Sequence, residues 1–173
     1  LRNVIKRRAK FLSLPLSTNN GQSMLTFDFL KMDVKKSKLT AEVIMKYLKS
    51  SSRIQIKTDA GTDLTLMKRG RMPGFFNGVT ADGGGFSSAS IEVYIPVEEC
   101  GTNGTMVIDG SLGYIGAARE DTRVVFKEGR IVEIEETPTG KRLKEYMEGY
   151  HDSGIYVAGE LGIGLNSYSQ CAG

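Results

Sequence analysis

Two carboxylates in this chain stand where chemistry could be done. Glu160 lies in Ile155-Tyr156-Val157-Ala158-Gly159-Glu160-Leu161-Gly162-Ile163-Gly164-Leu165-Asn166, where a short β-type run delivers one acidic side chain into glycine-rich backbone. Glu92 lies in Ile91-Glu92-Val93-Tyr94-Ile95-Pro96. Carboxylates offer the hard oxygen donors that divalent ions take, and glycine lets backbone approach a ligand closely. Together the two segments suggest half of a metal site. Each also has a plainer reading. Glu92 alternates with Ile91 and Val93, so it faces away from their side of a strand, commonly toward solvent. Glu160 reads equally as the solvent-facing side chain of a turn.

Other machinery is incomplete. His151 is the only histidine, so no Ser-His-Asp or Cys-His arrangement and no histidine-rich metal cage can be assembled from this chain alone. His151-Asp152 falls at a helix exit, where histidine complements the helix dipole. Cys100 and Cys171 lack C-x-x-C spacing, which fits a reduced, cytoplasmic compartment. The Gly159–Gly164 run has neither dinucleotide-binding spacing nor the lysine of a Walker loop. Gly83-Gly84-Gly85 could form an anion nest, but a flexible loop explains it as well. Tyr94, Tyr114, Tyr156 and Tyr168 are possible hydrogen-bond donors among which the sequence does not choose.

Net charge is +3, with basic residues gathered in Arg2–Lys10 and Lys31–Lys49. The second run belongs to a helix with a solvated face, and no aromatic residues interleave it for base stacking, so nucleic acid is not expected as a partner. No apolar run approaches the roughly 20 residues of a membrane helix. The chain begins without Met and stops soon after the glycine-rich run, so it is expected to be part of a longer protein.

The elements that must hold these residues follow from periodicity. A helix is expected around Gln22–Met32. A second follows with Ser37 as N-cap and an apolar stripe at Leu39, Val43 and Tyr47, with Ile44 and Leu48 beside it. Arg53–Thr58 and Thr62–Met67 alternate around Asp59-Ala60-Gly61 as a hairpin. Arg69–Ser90 reads as a long loop. Strands are expected at Ile91–Val97 and Gly104–Ile108, and a tight hairpin at Arg123–Lys127 and Arg130–Ile134 around Glu128-Gly129. Thr139 is expected to cap a helix bearing Leu143, Tyr146, Met147 and Tyr150, and Ile155–Ala158 to form a last strand before the glycine bend. The class is α+β: a β-rich curved sheet or barrel-like body with flanking helices. The expected division is an N-terminal helical segment, 1–36, and a β-rich portion, 37–173.

Four motifs in series carry a family resemblance. Gly61-Thr62-Asp63-Leu64-Thr65, Ile91-Glu92-Val93-Tyr94-Ile95-Pro96, Asn103-Gly104-Thr105-Met106-Val107-Ile108-Asp109-Gly110-Ser111 and Glu160-Leu161-Gly162-Ile163-Gly164-Leu165-Asn166 occur in this order. From about Asp33 onward the chain resembles the leucyl aminopeptidase family of aminopeptidase T type. The resemblance implies a larger two-domain metallopeptidase fold, usually homodimeric, that removes N-terminal residues from peptides with two divalent ions (Zn, Co, Mn or Mg). It gives Glu92 and Glu160 the roles of acidic metal ligands. The family's remaining ligands, two histidines and an aspartate, have no counterpart here, so this chain alone is expected to be inactive. Ile91 also replaces the glycine usual before the first acidic ligand. The wider fold includes a ring-cleaving iron dioxygenase acting on dihydroxypyridine, whose iron ligands would likewise fall outside this chain. That enzyme is one alternative reading, and a non-catalytic self-association module is the other. Retention of both glutamates favours the peptidase.

Overall fold

The computed structural model describes residues 2–13, 28–79, 85–88 and 91–171. Helix α1 (Arg2–Lys6) leads into β1 (Lys10–Ser13), which pairs in parallel with β5 (Gly85–Ser88). The helix expected around Gln22–Met32 falls mostly outside the described residues, as does Gly83-Gly84. What is described of that helix is a single 3-10 turn, Asp28–Lys31.

Helix α2 (Val34–Ser50) is capped by Asp33, whose carboxylate accepts from the Lys36 amide at 3.0 Å. Ser37, the expected cap, lies inside the helix and is buried, its hydroxyl donating to the Leu165 carbonyl at 3.3 Å. The sequence offers this helix two apolar stripes. Ala41 and Leu48 are the buried ones, with Ile44 and Met45 beside them. Leu39, Val43 and Tyr47 remain 65%, 57% and 71% exposed. The small Ala41 side chain lets the helix sit closely on the sheet, which the bulkier stripe would prevent.

The β-rich body consists of two antiparallel sheets and not a closed barrel. The larger has the order β2 (Arg53–Lys57), β3 (Asp63–Met67), β7 (Asn103–Ile108), β8 (Thr122–Lys127) and β9 (Arg130–Ile134). Both expected hairpins are present. Glu128 and Gly129 have φ of 49° and 80°, as a tight two-residue turn requires. Gly129 is pressed against the neighbouring loop, where a Cβ would stand 1.7 Å from the Glu99 carbonyl oxygen.

The smaller sheet has the order β10 (Glu160–Gly164), β6 (Glu92–Pro96) and β4 (Gly74–Phe76). Strands β4 and β5 both fall within the expected long loop. At three and four residues they are too short for alternation to show.

Helix α3 (Pro138–Glu148) packs on β8 and β9. Its cap is Thr137, whose hydroxyl accepts from the Gly140 amide at 3.0 Å, with Pro138 at the first helical position. Thr139 lies one step further in and is buried, and its amide donates to the Glu120 carboxylate at 2.8 Å.

Two apolar clusters hold these layers. Leu64, Leu66, Val97, Ile108, Val124 and Phe126 form one, and Ala41, Leu48, Val93 and Ile95 the other. Ile54 and Leu161 pack against both. Each fully buried Leu, Val or Phe contributes about 1.5–3 kcal/mol, and the small sheet is tied to the large one through Ile54 of β2 and Leu161, the residue next to Glu160.

Candidate functional site

The backbone around Glu160 differs from the expected strand and glycine bend. Ser153–Tyr156 is a 3-10 turn, capped by Asp152 through the Gly154 amide at 2.7 Å. The glycine-rich run is itself the strand. Glu160 therefore begins β10. Pairing with β6 satisfies the backbone groups on one side of this edge strand, which holds the glycine-rich run extended. The pairing continues at both ends, with the Val97 amide donating to Gly159 and the Leu165 amide to Ile91.

Register then decides which side chains meet. Glu160 is opposite Pro96, Gly162 opposite Tyr94, and Gly164 opposite Glu92. On the other side of β6, Gly74 is opposite Tyr94 and Phe76 opposite Glu92. Alternation puts Val93 and Ile95 on the face toward α2, fully buried, and leaves Glu92, Tyr94 and Pro96 on the opposite face. Glu160, Gly162, Gly164, Gly74 and Phe76 share that outer face. The structure thus brings Glu92 and Glu160 onto one surface.

Glycines shape this surface. A Cβ on Gly162 would stand 2.8 Å from Oε2 of Glu92, so the glutamate lies across β10 in space that only glycine leaves. A Cβ on Gly74 would stand 2.2 Å from Cζ of Tyr94, so the tyrosine ring lies across β4 in the same way. Tyr94 also stacks with Phe76, ring centroids 5.1 Å apart and planes 23° apart. Above Gly164 no atom lies within 4 Å of a Cβ position. The two central side chains therefore splay apart, acid toward one edge of the sheet and aromatic ring toward the other.

Burial raises the Glu92 carboxyl above its ordinary range, and the charge of Glu160 on the same face raises it further. Two like charges on one face favour a bound cation or a retained proton. Among the described residues, no three His, Cys, Asp or Glu side chains gather into a metal-holding group. His151 is exposed on the turn after α3, with φ of 52° and its amide donating to Glu148, so it lies off this sheet. The donor set fits the carboxylate share of a divalent ion's coordination and no more. Phe76 and Gly74 enter the site through β4, which the sequence pattern does not reveal, and their pairing with β6 picks out Tyr94 from the four tyrosines that the sequence leaves open. Gly162 was legible as a glycine near an acid, but its role is to make room for that acid.

Comparison with known proteins reaches the same fold and corrects the activity. The sequence matches the NicX family, described as 2,5-dihydroxypyridine 5,6-dioxygenase, over residues 28–172. The solved 2,5-dihydroxypyridine dioxygenase from Pseudomonas putida KT2440 is similar in structure, with a TM-score of 0.68 at 18% identity. The alignment covers 78% of this chain and 40% of that one. Wild-type AmpT from Thermus thermophilus shares the fold more distantly, with a TM-score of 0.58 at 17% identity over 77% of this chain and 35% of its own. No curated protein matches the sequence. The aligned part of the chain thus spans 40% and 35% of these two structural relatives. The mixed α and β architecture, as part of a larger fold, stands. The peptidase reading does not: the two glutamates that favoured a hydrolase sit in a chain whose family is a dioxygenase family, and the aminopeptidase link is one of fold alone. With residues 28–172 matched, this chain belongs to the NicX family, that of 2,5-dihydroxypyridine 5,6-dioxygenase.

Proposed function

We propose that this chain forms part of a ring-cleaving dioxygenase that acts on a dihydroxylated pyridine or a close analogue. The observation that carries the reading is the family match across nearly all of the body. The outer face of the small sheet supports it, because it presents hydrogen-bond acceptors and aromatic rings side by side, and a hydroxylated heteroaromatic ring can use both.

Glu92 and Glu160 are proposed as oxygen donors to a divalent ion, in addition to the ligands that the dioxygenase resemblance places outside this chain. A non-haem iron(II) centre ordinarily also takes imidazole nitrogens, and these would come from outside the described residues. When bound, such an ion supplies the reactivity toward dioxygen that amino-acid side chains lack. The part played by this chain is then one of placement and proton balance. Burial and then Glu160 raise the Glu92 carboxyl, and a cation held between the two acids would offset the penalty they impose on its charged form. The α2-facing side chains hold β6 and β10 in register, so that both carboxylates keep their positions on one face.

The test is oxygen uptake by the whole protein that carries this chain. It is loaded anaerobically with iron(II) and then mixed with 2,5-dihydroxypyridine in air-saturated buffer. Equimolar loss of oxygen and of the ring's ultraviolet absorbance is expected. Absence of oxygen uptake with iron(II), and with manganese(II) in its place, would overturn the reading. The carboxylate assignment is tested separately by calorimetric titration with manganese(II), whose affinity should fall at least tenfold in Glu92→Gln and in Glu160→Gln.

A further inference from the structure

The splayed arrangement on the small sheet points to how a substrate is held. Glu92 lies across Gly162 on one side of β6, and Tyr94 lies across Gly74 on the other. The acids therefore line one margin of the face and the Tyr94–Phe76 stack lines the other. Gly164, opposite Glu92, leaves the floor beside the acids clear. A flat ring bearing hydroxyls matches this division: its π-face meets the aromatic margin while its hydroxyls point to the carboxylates. A puckered ring of the same size offers no flat π-face to the aromatic margin.

We infer that Tyr94, supported by Phe76 and given room by Gly74, is the specificity-determining wall that selects a planar hydroxylated heterocycle at this face. The inference rests on the dioxygenase reading for the identity of the ring, and on the sheet geometry for the wall itself. Tyr94 acts through its ring face, so Tyr94→Phe should keep the function and Tyr94→Leu should lose it. Gly74→Ala gives an independent perturbation. It removes no polar group, yet its new methyl needs the space that the Tyr94 ring occupies.

The experiment is an anaerobic titration of the whole protein with 2,5-dihydroxypyridine and with its saturated analogue, a dihydroxypiperidine. The wild type should bind the flat ring in clear preference. Loss of one aromatic contact should weaken flat-ring binding about five- to tenfold in Tyr94→Leu and in Gly74→Ala, with binding of the puckered ring unchanged. Tyr94→Phe should stay within about twofold of wild type, following the same stacking argument. Phe76→Leu serves as the second aromatic variant if Tyr94→Leu fails to fold, and should show the same collapse of preference. Flat-ring affinity unchanged in the folded variants, or equal binding of flat and puckered rings by the wild type, overturns the inference. Tyr94-dependent binding without oxygen uptake would retain the wall and remove the dioxygenase reading. Oxygen uptake that is indifferent to Tyr94→Leu would do the reverse.

Discussion

The carboxylate of Glu92 occupies the space that a side chain at residue 162 would need: a Cβ built on Gly162 meets its Oε2 at 2.8 Å. The acid's direction is thus set by the absence of a side chain on the neighbouring strand. This relationship separates stability from function at one position. The obstructing atom is the end of a flexible side chain, so Gly162→Ala can be accommodated by swinging Glu92 away. Alanine also removes the conformational entropy that glycine loses in a strand, about 0.5–1 kcal/mol. Gly162→Ala is expected to leave the urea midpoint unchanged or slightly raised, while manganese(II) affinity of the whole protein drops about tenfold, the loss of one charged ligand contact. Undiminished metal affinity in a folded variant would show that the direction of Glu92 is immaterial.

Glu92 also gives stability a pH dependence of definite sign. Its carboxyl is raised above the ordinary value of 4.5, first by burial and then by Glu160. Below the ordinary value it is protonated in both folded and unfolded chains and makes no difference. As pH climbs from there through the raised value, the folded state holds its proton longer, so stability falls across that window. Glu92→Gln cannot ionise and should be more stable than wild type at neutral pH and equal to it near pH ~4. Denaturant midpoints at the two pH values measure this. Carbon-detected NMR of the Glu92 carboxyl adds a direct check, since Glu160→Gln should shift its titration downward.

At the β8–β9 turn, neighbouring residues respond in opposite ways. Gly129 combines φ of 80° with a Cβ position 1.7 Å from the Glu99 carbonyl oxygen, and backbone cannot yield as a side chain can. Gly129→Ala should destabilise by more than about 3 kcal/mol. Glu128, with φ of 49° and an exposed side chain, sits in a conformation that glycine adopts freely. Glu128→Gly should be neutral or stabilising by up to about 1 kcal/mol. Comparable losses in both variants would refute this account of the turn.

Lys68 continues the inward row of Leu64 and Leu66 and is only 2% exposed. Its ammonium donates to the Arg71 carbonyl at 3.2 Å, and among the described residues no carboxylate lies within ion-pair distance. A buried charge so thinly compensated can be replaced by an apolar side chain of similar length without loss. Lys68→Met is expected to match or exceed wild-type stability by about 1 kcal/mol, and Lys68→Ala to lower it through the cavity it leaves. Destabilisation by Met as large as that by Ala would mean that the ammonium is needed.

Long-period features of the fold were legible in the sequence. The 53–67 and 123–134 hairpins follow from alternation and turn residues, and both longer helices from helical spacing. Residue type points to Ser37 and Thr139 as caps, but Asp33 and Thr137 hold those positions because serine and threonine also serve inside helices when buried and hydrogen-bonded. Strand β4 was invisible at three residues. Glycines 159, 162 and 164 read as a bend because local propensity cannot anticipate a partner strand. Glu92 and Glu160 were identifiable as chemically interesting, yet their adjacency depends on the β6–β10 register. Retention of those two residues favours the peptidase on sequence alone, and the family match overturns that preference, since an acidic face suits either chemistry.

The glycine opposite Tyr94 has an evolutionary consequence. Any side chain at position 74 must displace the ring, and a small residue at position 94 would release position 74 from its requirement for glycine. The two positions, 20 residues apart in the chain, are therefore expected to drift as a pair: lineages that keep an aromatic residue at 94 should keep glycine at 74, and the glycine should be lost only where the ring has gone first.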